Sequence, residues 1–353
     1  MVNRPHIGRT LHLLGPRTES HRLRAPRSAW VGVGPRMTTH LIANLEARGL
    51  SKGPVLHAVR RATAKRAVVH ETRSVSELGG IFEQLLDHGC SFVILAGGDG
   101  TFMSGVSALA AAVERRGAAF PKVGLLPLGT VGTVARNFGP AGKPLELLER
   151  WLAPAPQKHP PFIVPRPSLR VRAWRGEVVE ERVGFIVGTG LVARFFDVYE
   201  ARGAGGIPLA AKIVARVFVE SFGGGPLARR ILTPIPCELQ VDGAPTETRA
   251  VSLLLASVVR DLGLSMKVCY RAGEEPARFH LVASSLPPER LGPRAPLVVL
   301  GRSIGGAGHV DRLASEVDLR FEGEGQFVLD GDLFRASRFT ITPGPILPIV
   351  GPG

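Results

Sequence analysis

Between Phe92 and Thr101 the chain reads Phe-Val-Ile-Leu-Ala-Gly-Gly-Asp-Gly-Thr, and this stretch narrows the fold more than any other. Five consecutive apolar residues with no polar alternation predict a strand covered on both faces, as in a parallel sheet. Phe102, Met103, Val106, Leu109, Ala110 and Val113 then follow at the spacing of one buried helix face. A strand, a glycine turn and a helix N-terminus present unpaired backbone N–H groups to an anion. With no side chains at Gly97, Gly98 and Gly100, a phosphate can approach the main chain closely. Asp99 stands among them as a carboxylate able to meet a cation or a reacting hydroxyl. An ordinary strand-to-helix turn is the plain alternative; the full Gly-Gly-Asp-Gly-Thr run favours phosphate binding.

The flanking sequence alternates in the manner of a doubly wound sheet. His40–Asn44 predicts a strand, Val55–Lys65 a helix and Ala67–His70 a second strand. Ser74-Val75-Ser76-Glu77 has the spacing of a capping box opening a helix that buries Leu78, Phe82, Leu85 and Leu86. A strand at Val123 and a helix around Leu145–Leu152 complete the first unit. After Pro154 the texture changes to a proline-rich link and then to period-2 segments. Leu169, Val171 and Ala173 alternate with Arg170, Arg172 and Trp174, and Val317, Leu319 and Phe321 alternate with Glu316, Asp318 and Arg320. Such strands, punctuated by Gly and Pro, predict an antiparallel β-sandwich. The expected layout is therefore a basic leader over residues 1–36, a nucleotide-binding α/β domain with a parallel sheet over 37–153, and a β-sandwich domain over 154–353.

Within the second domain, Asp330-Gly331-Asp332 lies between apolar segments and is a strong hairpin signal. Asp242-Gly243 carries the same signal, so by composition alone both read as structural turns.

The 353 residues carry a formal charge of +14, which suggests an anionic partner. Seven arginines of the leader, opposed only by Glu19, supply much of it. A membrane-steering role and a merely Arg-, Gly- and Pro-rich coding bias both account for the excess. No basic stripe interleaved with aromatics occurs, so nucleic acid is not expected as a partner. Cys90, Cys237 and Cys269 show no metal or redox spacing and suit a reducing cytosol. No segment reaches the ~18 uninterrupted apolar residues of a membrane span. The longest candidate, Ile207–Phe222, is broken by Lys212, Arg216 and Glu220 and suits a packed amphipathic helix, with a lipid-facing one as the alternative.

Gly97-Gly98-Asp99-Gly100-Thr101 after a buried strand resembles the nucleotide motif of the diacylglycerol kinase catalytic domain and its relatives, the sphingosine and bacterial lipid kinases and, more distantly, the NAD kinases. Pro127-Leu128-Gly129-Thr130, followed by a helix carrying Ala135-Arg136, resembles the lipid-kinase version of the second loop. The order of domains is similar to that family as well. The resemblance implies an ATP-dependent lipid kinase that transfers the γ-phosphoryl group to a hydroxyl of diacylglycerol or a related lipid, with ATP and Mg²⁺ as cofactors. It implies nucleotide contacts at Asn44, Thr72, Gly97, Gly98, Gly100, Thr101, Gly129 and Thr130, Mg²⁺ held through the phosphates near Asp99, and catalysis by Asp99 and Asp332, the latter as base. A lipid at a membrane surface is the implied partner, with no nucleic acid and with room for a homodimer. The implied location is the cytoplasm, peripheral at the inner face of the membrane. Three departures from the family pattern stand out. Asp332 replaces a glutamate, Gly132 and Thr133 replace an Asn-Asp pair, and no Asp-Gly-Xaa-Xaa-Asp element occurs near Asp261–Ala272. An NAD kinase-like enzyme and a nucleotide- or lipid-binding protein without catalysis are the competing readings.

Overall fold

The computed structural model describes residues 38–351 except 48, 52, 130–131, 139–141, 155–160, 204–205 and 264–265. The basic leader, Met37 and Thr130 thus lie outside the described residues.

Strands β1 (Thr39–Asn44), β2 (Val68–Thr72), β3 (Phe92–Gly97) and β4 (Lys122–Pro127) pair in parallel in the order β2-β1-β3-β4. Helices α1 (Gly53–Thr63), α2 (Ser76–Asp87) and α3 (Asp99–Arg116) connect them, and α4 (Thr133–Phe138) and α5 (Pro144–Leu152) follow. Every residue of β3 is buried, as its unbroken apolar run requires. The predicted face of α3 is buried throughout, from Phe102 to Val113. The α2 start is a shifted version of the expected box. The Glu77 carboxylate accepts the N–H groups of Arg73 and Ser74 at 3.0 and 2.8 Å, while the Ser74 hydroxyl turns to Ser76. After α5 the chain enters β5 (Ile163–Arg166).

The second half contains β6 (Leu169–Arg175), β7 (Val178–Gly184), β8 (Ile186–Gly190), α6 (Leu191–Ala201), α7 (Gly206–Ser221) and α8 (Pro226–Leu232). Next come β9 (Ile235–Val241), β10 (Ala244–Pro245), β11 (Ala250–Val251), β12 (Leu253–Ser257) and β13 (Phe279–Ser284). Then follow α9 (Pro288–Leu291), a 3₁₀ turn over Gly292–Arg294, α10 (Ala295–Val299), β14 (Val310–Ala314), β15 (Val317–Leu329), β16 (Asp332–Pro343) and β17 (Leu347–Val350). The long strand β15 is shared. Its first part pairs with β9, its last part with β8, and its register against β16 shifts between Arg320 and Gly325. The antiparallel sheet therefore forks, and Leu239, Leu254, Leu281 and Leu319 from its limbs meet in one core with Val93, Phe102 and Val106 of the first half. Full burial of side chains of this size stabilises by about 1.5–3 kcal/mol each.

Two features cross the expected break at residue 153. Strands β5 and β17 both join the first sheet, β17 parallel to β4 and antiparallel to β5, so the chain's last strand returns to the first half. Ser107 of α3 also accepts the Val183 N–H at 2.8 Å and donates to the Val183 carbonyl at 2.9 Å, pinning β7 to the first half. The helices between β8 and β9 are not part of the predicted sandwich. Of these, α7 is the expected amphipathic helix, yet it fully buries Ile213 while leaving Ile207, Val219 and Phe222 exposed.

Candidate active site at the junction of the two sheets

The first wall is the β3–α3 turn. Gly98 is extended and starts α3 with no side-chain cap, so the first N–H groups of an 18-residue helix have no side-chain partner there. Its glycines have a structural cause besides ligand access. A Cβ on Gly97 would lie 2.4 Å from the Thr101 hydroxyl, and one on Gly129 would lie 2.4 Å from the Gly98 Cα. The two nucleotide-type loops thus touch backbone to backbone, and the Leu128 N–H donates to the Gly97 carbonyl at 2.8 Å. Asn44 at the end of β1 donates through Nδ2 to the Thr101 hydroxyl at 2.9 Å. Thr72 is buried; its carbonyl accepts the Leu45 N–H, so it braces the loop after β1 from behind. Asn44, Thr101, Gly97, Gly98 and Gly129 therefore converge on one turn, with Thr72 one layer beneath.

Asp99 turns to α4. Its two oxygens accept the N–H groups of Thr133 and Val134 at 2.8 and 3.0 Å, which makes it the cap of α4. Burial raises its pKa against the pull of these hydrogen bonds and of the Arg136 charge. Committed in this way, Asp99 does not stand as a free metal ligand, and among the described residues no group of three or more His, Cys, Asp or Glu side chains is placed to hold a metal ion. The described residues do not by themselves form a Mg²⁺ site.

The second wall is the β15–β16 hairpin, whose Asp330 and Gly331 have φ of +51° and +101°. Asp242 and Gly243 take nearly the same left-handed turn, with φ of +53° and +76°. What distinguishes the first hairpin is its surroundings. Asp332 reaches across to α3, and its two carboxylate oxygens lie 2.8 Å from where a Cβ on Gly100 would stand. Solvent reaches Asp332, but it sits in a concave, partly desolvated place that raises its pKa, assisted by Glu200 and Asp99 and opposed by Arg182. Asp330, at 5% exposure, turns inward and accepts the N–H groups of Phe185 and Ile186 at 2.8–3.1 Å. Complete burial, then the nearby Asp99 charge, hold its carboxyl well above the usual range. Sequence reasoning assigned Asp330 only to the turn, and Arg182 and Glu200 to nothing.

Beside these carboxylates opens a cavity of about 810 Å³. Asp99, Arg136 and Asp330 stand at its polar end, and its walls are apolar side chains of α6, α7, β12 and α10, such as Phe195, Val214, Leu255 and Val298. Such a container, apolar with a few convergent polar groups, is the usual form of a small-molecule site.

The class that fold and site define is a two-sheet protein, a parallel α/β half and an antiparallel half, with a glycine turn, a carboxylate hairpin and an apolar cavity at their junction. Residues 38–158 match the family model described as the diacylglycerol kinase catalytic domain, in agreement with the resemblance carried by the two loops. Among curated proteins none matches the sequence. The fold is similar to that of a diacylglycerol kinase from Bacillus anthracis str. Sterne, at 12% identity and a TM-score of 0.57, over 89% of this chain and 96% of that one. A further structure from the same organism, provisionally assigned as a diacylglycerol kinase, gives 14% identity and a TM-score of 0.62 over 89% and 97%.

Proposed function

We propose that the protein is an ATP-dependent lipid kinase that transfers the γ-phosphoryl group to a lipid hydroxyl, with diacylglycerol or a close relative as acceptor. The observation that carries this reading is the position of Asp332. Its carboxylate lies against Gly100 in the first turn of α3, where terminal phosphates gain from helix N–H groups and the helix dipole. The apolar cavity opens next to the same hairpin, lined there by Asp330 and Gly331. A lipid with its acyl chains among Phe195, Val214 and Val298 brings its hydroxyl toward the carboxylates, whereas NAD would meet these apolar walls with polar ribose and phosphate.

Phosphoryl transfer asks the protein mainly for positioning and for electrostatic complementarity. In this reading Gly98 and Gly129 keep the two loops in contact and the α3 N–H groups orient the phosphate oxygens. Asp99 fixes α4, and with it Arg136, at the polar end of the cavity. Asp332 accepts the hydroxyl proton, and the raising of its pKa above the ordinary aspartate value favours that acceptance. Mg²⁺ would supply charge neutralisation in the transfer.

The experiment is transfer from γ-labelled ATP to a panel of hydroxyl-bearing lipids and to NAD. Labelled phosphatidic acid or a related phospholipid is the expected product. Labelled NADP would favour the NAD kinase-like reading. ATP binding without any transfer would favour a binding protein.

A further inference from the structure

We propose that Asn137 is a positioning residue for the acceptor. It ties one wall of the cavity to the helix that Asp99 caps, and so sets where an acceptor hydroxyl stands relative to the transferred phosphoryl group. The inference rests on the reading that this cavity takes the acceptor lipid. Asn137 lies on α4, and its side-chain amide reaches the main chain of Asp261, 124 residues further along the sequence.

The amide is fully used. Its Nδ2 donates to the Asp261 carbonyl at 2.6 Å and to the Thr133 carbonyl at 2.9 Å, while its Oδ1 accepts the Asp261 N–H at 3.0 Å. The partners fix which way the amide points, because the reverse orientation would set its oxygen against two carbonyls and its nitrogen against an N–H. An ionised carboxylate of the same size only accepts, so it cannot reproduce this pattern.

The loop that Asn137 holds is part of the cavity. Asp261, Leu262, Gly263 and Met266 line it together with Arg136 and Asn137. The loop is also closed on itself. Asp261 Oδ1 accepts the Gly263 N–H at 2.8 Å, and the Leu262 N–H donates to the Met266 carbonyl at 3.0 Å. On either side of it, Arg260 donates through Nε to the Ala272 carbonyl and the Lys267 N–H donates to the Val298 carbonyl, which anchors it to the second half. Asn137 adds the anchor to the first half. Helix α4 is itself held at both ends, by Asp99 on the Thr133 and Val134 N–H groups and by Arg166 of β5, whose Nη2 donates to the Phe138 carbonyl at 3.2 Å. A continuous path of hydrogen bonds thus runs from the first residue of α3, through α4, to the cavity wall. Phosphoryl transfer depends on such placement, since a misplacement of about 1 Å costs roughly 10²-fold in rate.

The test compares the full chain with its Asn137→Ala, Asn137→Asp and Asn137→Gln variants in three readouts. These are hydrogen exchange at the Asp261 amide, affinity for a fluorescent diacylglycerol analogue, and the kinetics of transfer from ATP to diacylglycerol. In Asn137→Ala the Asp261 amide should exchange roughly tenfold faster. Its kcat/KM for diacylglycerol should fall about ten- to a hundredfold, while the KM for ATP stays within about twofold. Asn137→Gln, which keeps the amide, should recover part of the lipid kinetics, and Asn137→Asp, which keeps the volume but loses the donor, should not. If Asn137→Ala folds poorly, Asn137→Asp gives the same reading. Unchanged lipid kinetics in Asn137→Ala would overturn the proposal. So would equal losses in the lipid and ATP parameters, the mark of general destabilisation, or full recovery by Asn137→Asp. A wild type that binds the analogue but phosphorylates no lipid would overturn the reading of the reaction, and weaker binding of the analogue by Asn137→Ala would still uphold Asn137 as the holder of the wall. A wild type that neither binds nor phosphorylates a lipid would overturn both.

Discussion

The carboxylate of Asp332 fills the space that a side chain at Gly100 would need, with both oxygens 2.8 Å from the site of a Cβ there. One residue opens the long helix of the first half and the other opens the last hairpin strand of the second. The contact therefore depends on the docking of the two sheets, and it makes the glycine a requirement of the site rather than of the turn, since the nearest atoms a Cβ at Gly100 would meet all belong to the Asp332 side chain.

Gly100→Ala tests that requirement. Alanine favours a helix over glycine by about 1 kcal/mol, and Asp332 can rotate aside, so the melting temperature should hold or rise. Displacing the carboxylate by about 1 Å should lower turnover roughly 10²-fold. Thermal unfolding and initial rates of transfer check this, and an active, stable Gly100→Ala protein would remove the contact from the mechanism.

Asp99→Ala should cost stability as well as activity. The carboxylate accepts both N–H groups that open α4. Losing such a cap costs about 0.5–2 kcal/mol. Denaturant unfolding should show that loss, and Asp99→Asn, which keeps one acceptor, should recover part of it. An unchanged midpoint for Asp99→Ala would mean that α4 does not depend on its cap.

Asp330 predicts a pH signature in stability. Its pKa is raised in the folded protein, so the fold favours the neutral form. The contribution is complete below the unfolded pKa of ~3.9 and is lost as pH rises through the folded value. Asp330→Asn keeps an acceptor for Phe185 and Ile186 and suits the positive φ, but does not ionise. Its stability relative to wild type should therefore increase from acid to alkaline pH. A constant difference between pH 5 and pH 9 would show that Asp330 does not titrate over that range.

Arg182 lies over the Phe334 ring, 4.6 Å from its centroid, and its charge pulls the Asp332 pKa down. Arg182→Met keeps the packing and removes the charge. The acid limb of the pH–rate profile should then move to higher pH. An unmoved limb would assign it to another group.

The β3–α3 turn was legible because a wholly buried strand, three glycines and a helical apolar face fall in one continuous segment. The hairpin was legible for the same local reason, since Asp-Gly suits consecutive positive φ. Its identity as a site came from the family resemblance and not from the turn itself. Asp242 and Asp330 look alike in sequence, adopt the same backbone and each accept two backbone N–H groups, and it is the burial of Asp330 beside Asp99 that separates them. Strand β17 is four residues whose partner is set by non-local pairing, so its return to the first sheet left no local trace. For α6 and α8 no helical reading was made, because these segments lie between strands in a stretch whose texture is β-like, and part of their apolar surface faces a cavity. Gly97 and Gly98 read as room for phosphate and Gly129 as an implied nucleotide contact, and the structure adds contact between the Gly98 and Gly129 backbones.

The central claim is that the γ-phosphoryl group meets a lipid hydroxyl between the α3 N-terminus and Asp332. The most direct measurement compares transfer of label from ATP to diacylglycerol in mixed micelles by wild type and by Asp332→Asn, with ATP affinity measured in parallel. Asp332→Asn keeps size and hairpin geometry while removing proton acceptance. Labelled phosphatidic acid should form with wild type and fall by about 10²- to 10⁴-fold in the variant, with ATP affinity unchanged. Equal rates for the two proteins, or no lipid product from a wild type that binds ATP, would contradict the account.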